Sequence, residues 1–306
     1  MAHQRRGAWQ KGRAVVAALP AAWLAVFFLV PFGIVLKISL SESAVAQPPY
    51  RPRFEWSAGP SAWLDGLASL TLENYRTLLS DELYWQAGLS SLGMALAATT
   101  LLVLLGYPVA LAMARASARW RAILVGLVIL PFWTSFLIRV YAWIAILKPD
   151  GLLNQILIWS GLVGHPLTIL NTNAAILIGL VYAYLPFMVL PLYATLERLD
   201  RTLLEAAADL GASPLRAFWT VTLPISLPGV AAGALICFIP ILGEFVIPDL
   251  LGGSETLMIG RTLWSEFFSN RDWPLASAVA VLMLAALLVP IVLYRDLESR
   301  RLEARE

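Results

Sequence analysis

Six stretches of this chain are apolar over lengths that suit a membrane-crossing helix, and polar segments separate them. They run from about Ala14 to Ser39, Ala87 to Ala114, Ala122 to Leu147, Ala174 to Tyr193, Leu227 to Ile247 and Pro274 to Tyr294. A helix rises about 1.5 Å per residue, so about 20 apolar residues cross a hydrocarbon core of roughly 30 Å. The pattern predicts an all-α integral membrane protein with six transmembrane helices in one domain over residues 1–306. The first stretch follows Arg5, Arg6, Lys11 and Arg13 and resembles a signal peptide in its charge. It is longer than a usual signal core, and no small-x-small cleavage site follows directly, so it is read as a retained span.

Composition agrees with the pattern. The chain is 59% hydrophobic and 14% charged, with a mean hydropathy of +0.74, which excludes an ordinary soluble domain. Twelve Trp and nine Tyr suit aromatic belts at two interfaces. The single cysteine, Cys237, forbids an intrachain disulfide, and it reads as a small buried apolar residue. The two histidines, His3 and His165, offer no metal site, and no metal or other cofactor is expected on the chain. A net charge of +2 gives no reason to expect a nucleic acid partner.

The distribution of charge orients the spans. Fourteen basic residues fall on one side, in 5–13, 115–121, 198–216 and 295–305, against six on the other: Arg51, Arg53, Arg76, Lys148, Arg261 and Arg271. The positive-inside rule then places both termini and the segment 194–226 in the cytoplasm. Lys37 and Arg139 lie near span ends, and Arg139 is expected to snorkel to the outer interface.

Segment 194–226 is polar and amphipathic between two long apolar runs. Glu205 to Leu210 are mostly good helix formers, Gly211 is a natural stop, and Ser213-Pro214 supplies an N-cap followed by proline at the first helical position. Two short helices with a sharp bend are predicted. On the second, Leu215, Phe218, Trp219 and Thr222 recur at helical spacing, a face able to dock on something apolar. From these residues alone, that something is either a partner or the protein's own bundle.

Glu205-Ala206-Ala207, Gly211 and Leu223-Pro224 resemble the EAA loop of permease subunits in binding-protein-dependent ABC importers. Two further stretches, Pro131 to Trp143 and Gly243 to Gly253, resemble the polyamine branch of that family, as does Asn270-Arg271-Asp272-Trp273-Pro274. Within the branch the likeness is to putrescine permeases first and spermidine/putrescine permeases next. The resemblance implies a type I importer permease (MetI-like) fold in the bacterial inner membrane. It also implies that Glu205, Ala206, Ala207, Gly211, Pro214, Leu215 and Phe218 form a coupling helix seated in an ATPase subunit. Two ATPase copies using ATP and Mg, a second homologous permease and an external solute-binding protein complete the implied assembly.

A polyamine needs carboxylates and aromatic faces. Glu244 and Asp249, with Trp264, Phe267, Asp272 and Trp273, are the candidates for its pathway, and Pro240 is the candidate gate kink. The carboxylates have a plain alternative, which is pairing with Arg261 and Arg271 or docking the binding protein. No Gly-rich loop ending in Gly-Lys-Ser/Thr and no His-Glu-x-x-His occurs, so the chain has no visible means of hydrolysing ATP. Sister importers for an opine, an aminophosphonate or ferric ion share the loop. A secondary transporter would show a coupling-ion site and inverted repeats, and an intramembrane enzyme would show convergent catalytic groups; neither pattern is visible.

Overall fold

The computed structural model describes residues 18–53, 64, 66 and 68–303. Nearly all of them are helical, because the apolar runs must satisfy their backbone groups internally. Helix α1 spans Ala18–Ser39 with a π turn at Ala25–Leu29. A two-residue hairpin follows, β1 (Glu42–Ser43) and β2 (Tyr50–Arg51), paired antiparallel. Then come α2 (Glu73–Ser80), α3 (Glu82–Arg115), α4 (Ala118–Ile129), α5 (Phe136–Leu147), α6 (Leu152–Trp159) and α7 (Asn173–Glu197). The remainder is α8 (Arg201–Asp209), α9 (Pro214–Leu242), α10 (Val246–Leu251), α11 (Ile259–Trp264) and α12 (Trp273–Glu303). The chain divides into two compact units, Met1–Glu82 with Leu263–Glu306, and Leu83–Thr262.

In the first unit α12 packs against the Val30–Ser39 half of α1 and against α2. The turn after α1 is tied down by Asn74, whose Nδ2 donates to the carbonyls of Ser39 and Ser41, both at 2.8 Å. Tyr75 adds a 2.7 Å bond between its hydroxyl and Ser39 Oγ.

The core of the second unit is the antiparallel pair α7 and α9. Gly229 lies against Thr195 and Gly233 against Met188, so two small residues one turn apart let the helices approach closely. Cys237 is buried in the same seam. Helix α3 joins through Gly106, which faces Met188 and Val189, and through Tyr107, whose hydroxyl bonds Ser226 Oγ at 2.8 Å. At one end of the unit Arg121 and Glu197 form an ion pair of 2.6 Å, joining the basic turn after α3 to the end of α7.

Four helices among the described residues are long and apolar enough to cross a membrane: α1, α3, α7 and α9. The expected first span begins at 14, and its residues 14–17 lie outside the described residues. The expected third span, 122–147, is not one straight helix. The chain breaks after Leu130–Trp133, a 3₁₀ turn holding Pro131, and the two halves Ala118–Trp133 and Phe136–Trp159 meet at 91°. Proline has no N–H to give, and Thr134 and Ser135 turn extended. Counted as one broken span, the pair makes five. The sixth expected segment falls in α12, where Trp273–Leu288 is the apolar stretch among the described residues.

The helix that carries the fifth expected span, 227–247, starts earlier and stops sooner than that span: it runs from Pro214 to Leu242. The predicted short second helix of the 194–226 segment is thus the start of a 29-residue helix. A π turn at Phe218–Thr222 sits directly before Leu223-Pro224, a wider turn just ahead of a proline ring.

Candidate functional site

Two places in the second unit carry the residues singled out from the sequence. The first is the bend between α8 and α9. Asp200 caps α8 by accepting the Thr202 N–H at 3.0 Å, and that bond holds its carboxyl below the usual range. At the other end Gly211 has φ of 80°, its N–H bonds the Ala208 carbonyl at 2.8 Å, and Ala212 N–H bonds that of Ala207 at 2.9 Å. This is a Schellman stop, which needs a left-handed residue at that position. Ser213 then caps α9, with Pro214 at its first position. The sharp bend expected at Gly211 is present.

The face expected on the second helix is split. Leu215 and Trp219 are 69% and 60% exposed, and Leu210 at the bend is 90% exposed. Phe218 instead turns inward, edge-on to Tyr107 at 5.5 Å between centroids, and Thr222 is buried. Residues four apart share a helix face, and the π turn shifts that register after Ala217. Glu205 and Ala206 are exposed and Ala207 half-buried.

The second place is a recess of about 420 Å³ lined by α4–α5, α7 and α9 residues, among them Phe132, Arg139, Tyr184, Phe187, Pro240 and Glu244. Its geometry follows from the two breaks in the chain. After Leu242 the chain leaves the helix at Gly243 and re-enters at Val246, and the side chain of Glu244, one residue before the N-cap Phe245, accepts from the first N–H groups of the new helix. Its Oε1 accepts the N–H groups of Val246 at 3.0 Å and Ile247 at 3.5 Å. Its Oε2 accepts the Tyr184 hydroxyl at 2.8 Å. One carboxylate is therefore held on two sides and presented to a wall of phenyl rings, with Phe132 and Phe187 edge-to-face at 5.1 Å.

The other break supplies a cation. The carbonyl of Pro131 accepts Thr134 N–H at 3.2 Å, Thr134 Oγ1 at 2.8 Å and Arg139 Nη1 at 2.7 Å. The Arg139 side chain folds back across the helical break to the carbonyl that the proline turn frees. The signal was present in Pro131 and Arg139, eight residues apart, but only the broken helix turns one toward the other.

Pro240 stands in the last turn of α9 on the recess wall. Asp249 is not in the recess: its carboxylate pairs with Arg261 Nε at 3.2 Å, and Arg261 also donates to the Gly253 carbonyl at 2.8 Å. That is the plain pairing foreseen for it. The remaining candidates belong to the first unit. Trp264 contacts Phe268 at 4.0 Å, Phe267 stacks on Trp273 at 4.9 Å, and Tyr50 lies 6.4 Å from Trp273. Asp272 caps α12 through Leu275 N–H at 3.0 Å. Lys37 sits over the Tyr50 ring at 4.4 Å, so a protein cation already faces that cluster.

The chain matches the family described as "Binding-protein-dependent transport system inner membrane component" over residues 103–303. It belongs to that family, and is a multi-pass inner-membrane transport component rather than an enzyme. Among its relatives, the spermidine/putrescine transport system permease PotB of Haemophilus influenzae is 41% identical over 96% of this chain and 97% of its own length. PotB of Escherichia coli K12 is 43% identical over 73% of this chain and 81% of its own. The E. coli inner membrane ABC transporter permease YdcU is 36% identical over 73% and 72%. A solved bacterial ABC transporter for the import of alginate superposes over 97% of this chain and 99% of its own with a TM-score of 0.64 at 19% identity. The methionine transporter MetNI gives 0.54 at 19%, over 72% and 98%. These likenesses place the fold among type I ABC importer permeases, as the sequence predicted.

Proposed function

We propose that this chain is the permease subunit of an ATP-driven importer that passes polyamines, putrescine and/or spermidine, from an external binding protein to the cytoplasm. The observation that carries the substrate class is Glu244, a carboxylate fixed by Tyr184 at the edge of an aromatic recess. An ammonium group gains from both charge pairing and aromatic faces, and more so away from water. The names of the PotB relatives, which match up to 96% of the chain, support the same class. Asp249, Trp264, Phe267, Asp272 and Trp273 belong to the outer approach in this reading, and Pro240 to the gate.

Six spans, with both termini and segment 194–226 in the cytoplasm, fit the excess of basic residues on that side. The helices on either side of Gly211 then serve as the coupling element. Glu205, Ala206, Ala207, Gly211, Pro214 and Leu215 meet one of two ATPase subunits, and Phe218 anchors the element to Tyr107. ATP and Mg are used in those partners and not by this chain. A second, similar permease completes the pathway. Closure of the ATPase dimer draws the bend with it and opens the outer face.

The test is uptake of labelled putrescine and spermidine in the native host lacking this chain, restored with wild type or with Gly211→Asp. Uptake lost in the deletion strain and restored by wild type alone supports both substrate and coupling. Unchanged uptake, in a strain with no redundant system, sends the substrate to another small solute.

A further inference from the structure

The recess that holds Glu244 also holds a cation of the protein's own. Arg139 lines the same 420 Å³ space, with its guanidinium carbon 5.6 Å from the Phe132 centroid and 5.8 Å from that of Phe136. It is tethered there, since Nη1 donates to the Pro131 carbonyl, a group shared with two donors from Thr134. Its Nε is buried and has no hydrogen-bond partner.

A linear diammonium ion needs a stabilising group for each end. The recess lining offers one carboxylate, Glu244, for the first. The second end would turn to the phenyl faces, and a guanidinium already lies over Phe132 and Phe136. Like charges a few ångströms apart repel strongly where water is scarce. The recess therefore suits one ammonium head and opposes two.

We propose that Arg139 is a specificity-determining residue that competes, as a resident cation, with the second ammonium group of the substrate. It keeps the recess weak for di- and polyammonium ions, so that a polycation is passed on instead of being held. Conduction through any pathway requires sites favourable enough to enter and weak enough to leave. Glu244 supplies the first condition and Arg139 the second. This inference rests on the polyamine reading of the same recess.

The experiment is equilibrium binding of labelled putrescine and of labelled butylamine, a monoammonium ion of equal carbon length, to the complete transporter without nucleotide. Maximal uptake by the same complex in proteoliposomes is measured in parallel. Arg139→Gln is expected to tighten putrescine binding roughly threefold to tenfold, the scale of one cation–π contact, and to leave butylamine within about twofold. Its maximal uptake rate falls, and Arg139→Lys restores wild-type behaviour. If Gln prevents assembly, Arg139→Met, which keeps the apolar stem, is measured the same way. The role is overturned if putrescine binding is unchanged or weakened, or if both amines shift together as a shape defect would make them. No putrescine binding by wild type or variants overturns the polyamine reading itself.

Discussion

Tyr184 and Glu244, sixty residues apart in sequence, are joined by a 2.8 Å hydrogen bond from the phenol hydroxyl to Oε2. That bond fixes the loop between α9 and α10 to the middle of α7, and it aims the recess carboxylate. Tyr184→Phe removes only the donor. A hydrogen bond to a charged group is worth about 1.5–3 kcal/mol, so putrescine uptake is expected to fall by roughly tenfold to a hundredfold with membrane insertion unchanged. Glu244→Gln, which keeps an acceptor for the Val246 N–H and removes the charge, is expected to cost at least as much. Normal uptake by Glu244→Gln would remove this residue from the substrate path.

Gly211 is a test of conformation separated from packing. A Cβ added there meets nothing within 4 Å, so the penalty of Gly211→Ala is the left-handed backbone alone, about 1–2 kcal/mol. The variant is expected to insert normally and to transport several-fold more slowly. Gly211→Asp adds charge at the bend and is expected to leave ATP hydrolysis running without uptake. Wild-type transport by Gly211→Asp would end the coupling assignment.

The two sides of the first turns of α9 should respond differently. Leu215→Glu and Trp219→Glu alter exposed side chains, and each is expected to preserve the level of folded protein but lose co-purification with the ATPase. Phe218→Ala opens the contact with Tyr107 and is expected to lower thermal stability by about 2–4 kcal/mol. Equal stability losses on both sides would mean that Leu215 and Trp219 serve folding and not docking.

In the α7–α9 seam, a Cβ at Gly233 would come within 2.8 Å of Met188 Sδ and 3.2 Å of the Met188 carbonyl oxygen. Gly233→Val therefore forces the helices apart, at about 1–3 kcal/mol. Thermal inactivation of the purified protein should move to lower temperature, while Gly93→Val, with open space around it, should not shift it. The reverse order would contradict the seam.

The helices most legible in the sequence are those with uninterrupted apolar runs: 174–193 against Asn173–Glu197, and 87–114 against Glu82–Arg115. Their ends moved outward because polar side chains such as Glu82 and Glu197 tolerate a helix that continues past the apolar zone. Pro131 was visible, but the same residue type lies inside α3 and α7 at Pro108, Pro186 and Pro191 without ending either helix. A proline alone does not announce a break. The polarity change near 227 suggests a short second helix in segment 194–226, whereas helical bonding from Pro214 continues past that change to Leu242. The bend at Gly211 was legible since its chemistry is local. Glu244 with Tyr184 was not, because that pairing depends on how α9 and α10 lie along α7, and no local pattern encodes it.

Helix α9 begins beside the exposed bend and ends at the recess wall, with no loop between. At 1.5 Å per residue, its 29 residues make a rod of about 43 Å. A tilt of about 5° around its centre would swing the two ends by roughly 2 Å in opposite directions. The Gly229 and Gly233 contacts lie near the middle of that rod, where a fulcrum would be. A lever of this kind would carry force from the bend to the recess by geometry, and its mechanical advantage would be set by where along α9 those two glycines stand.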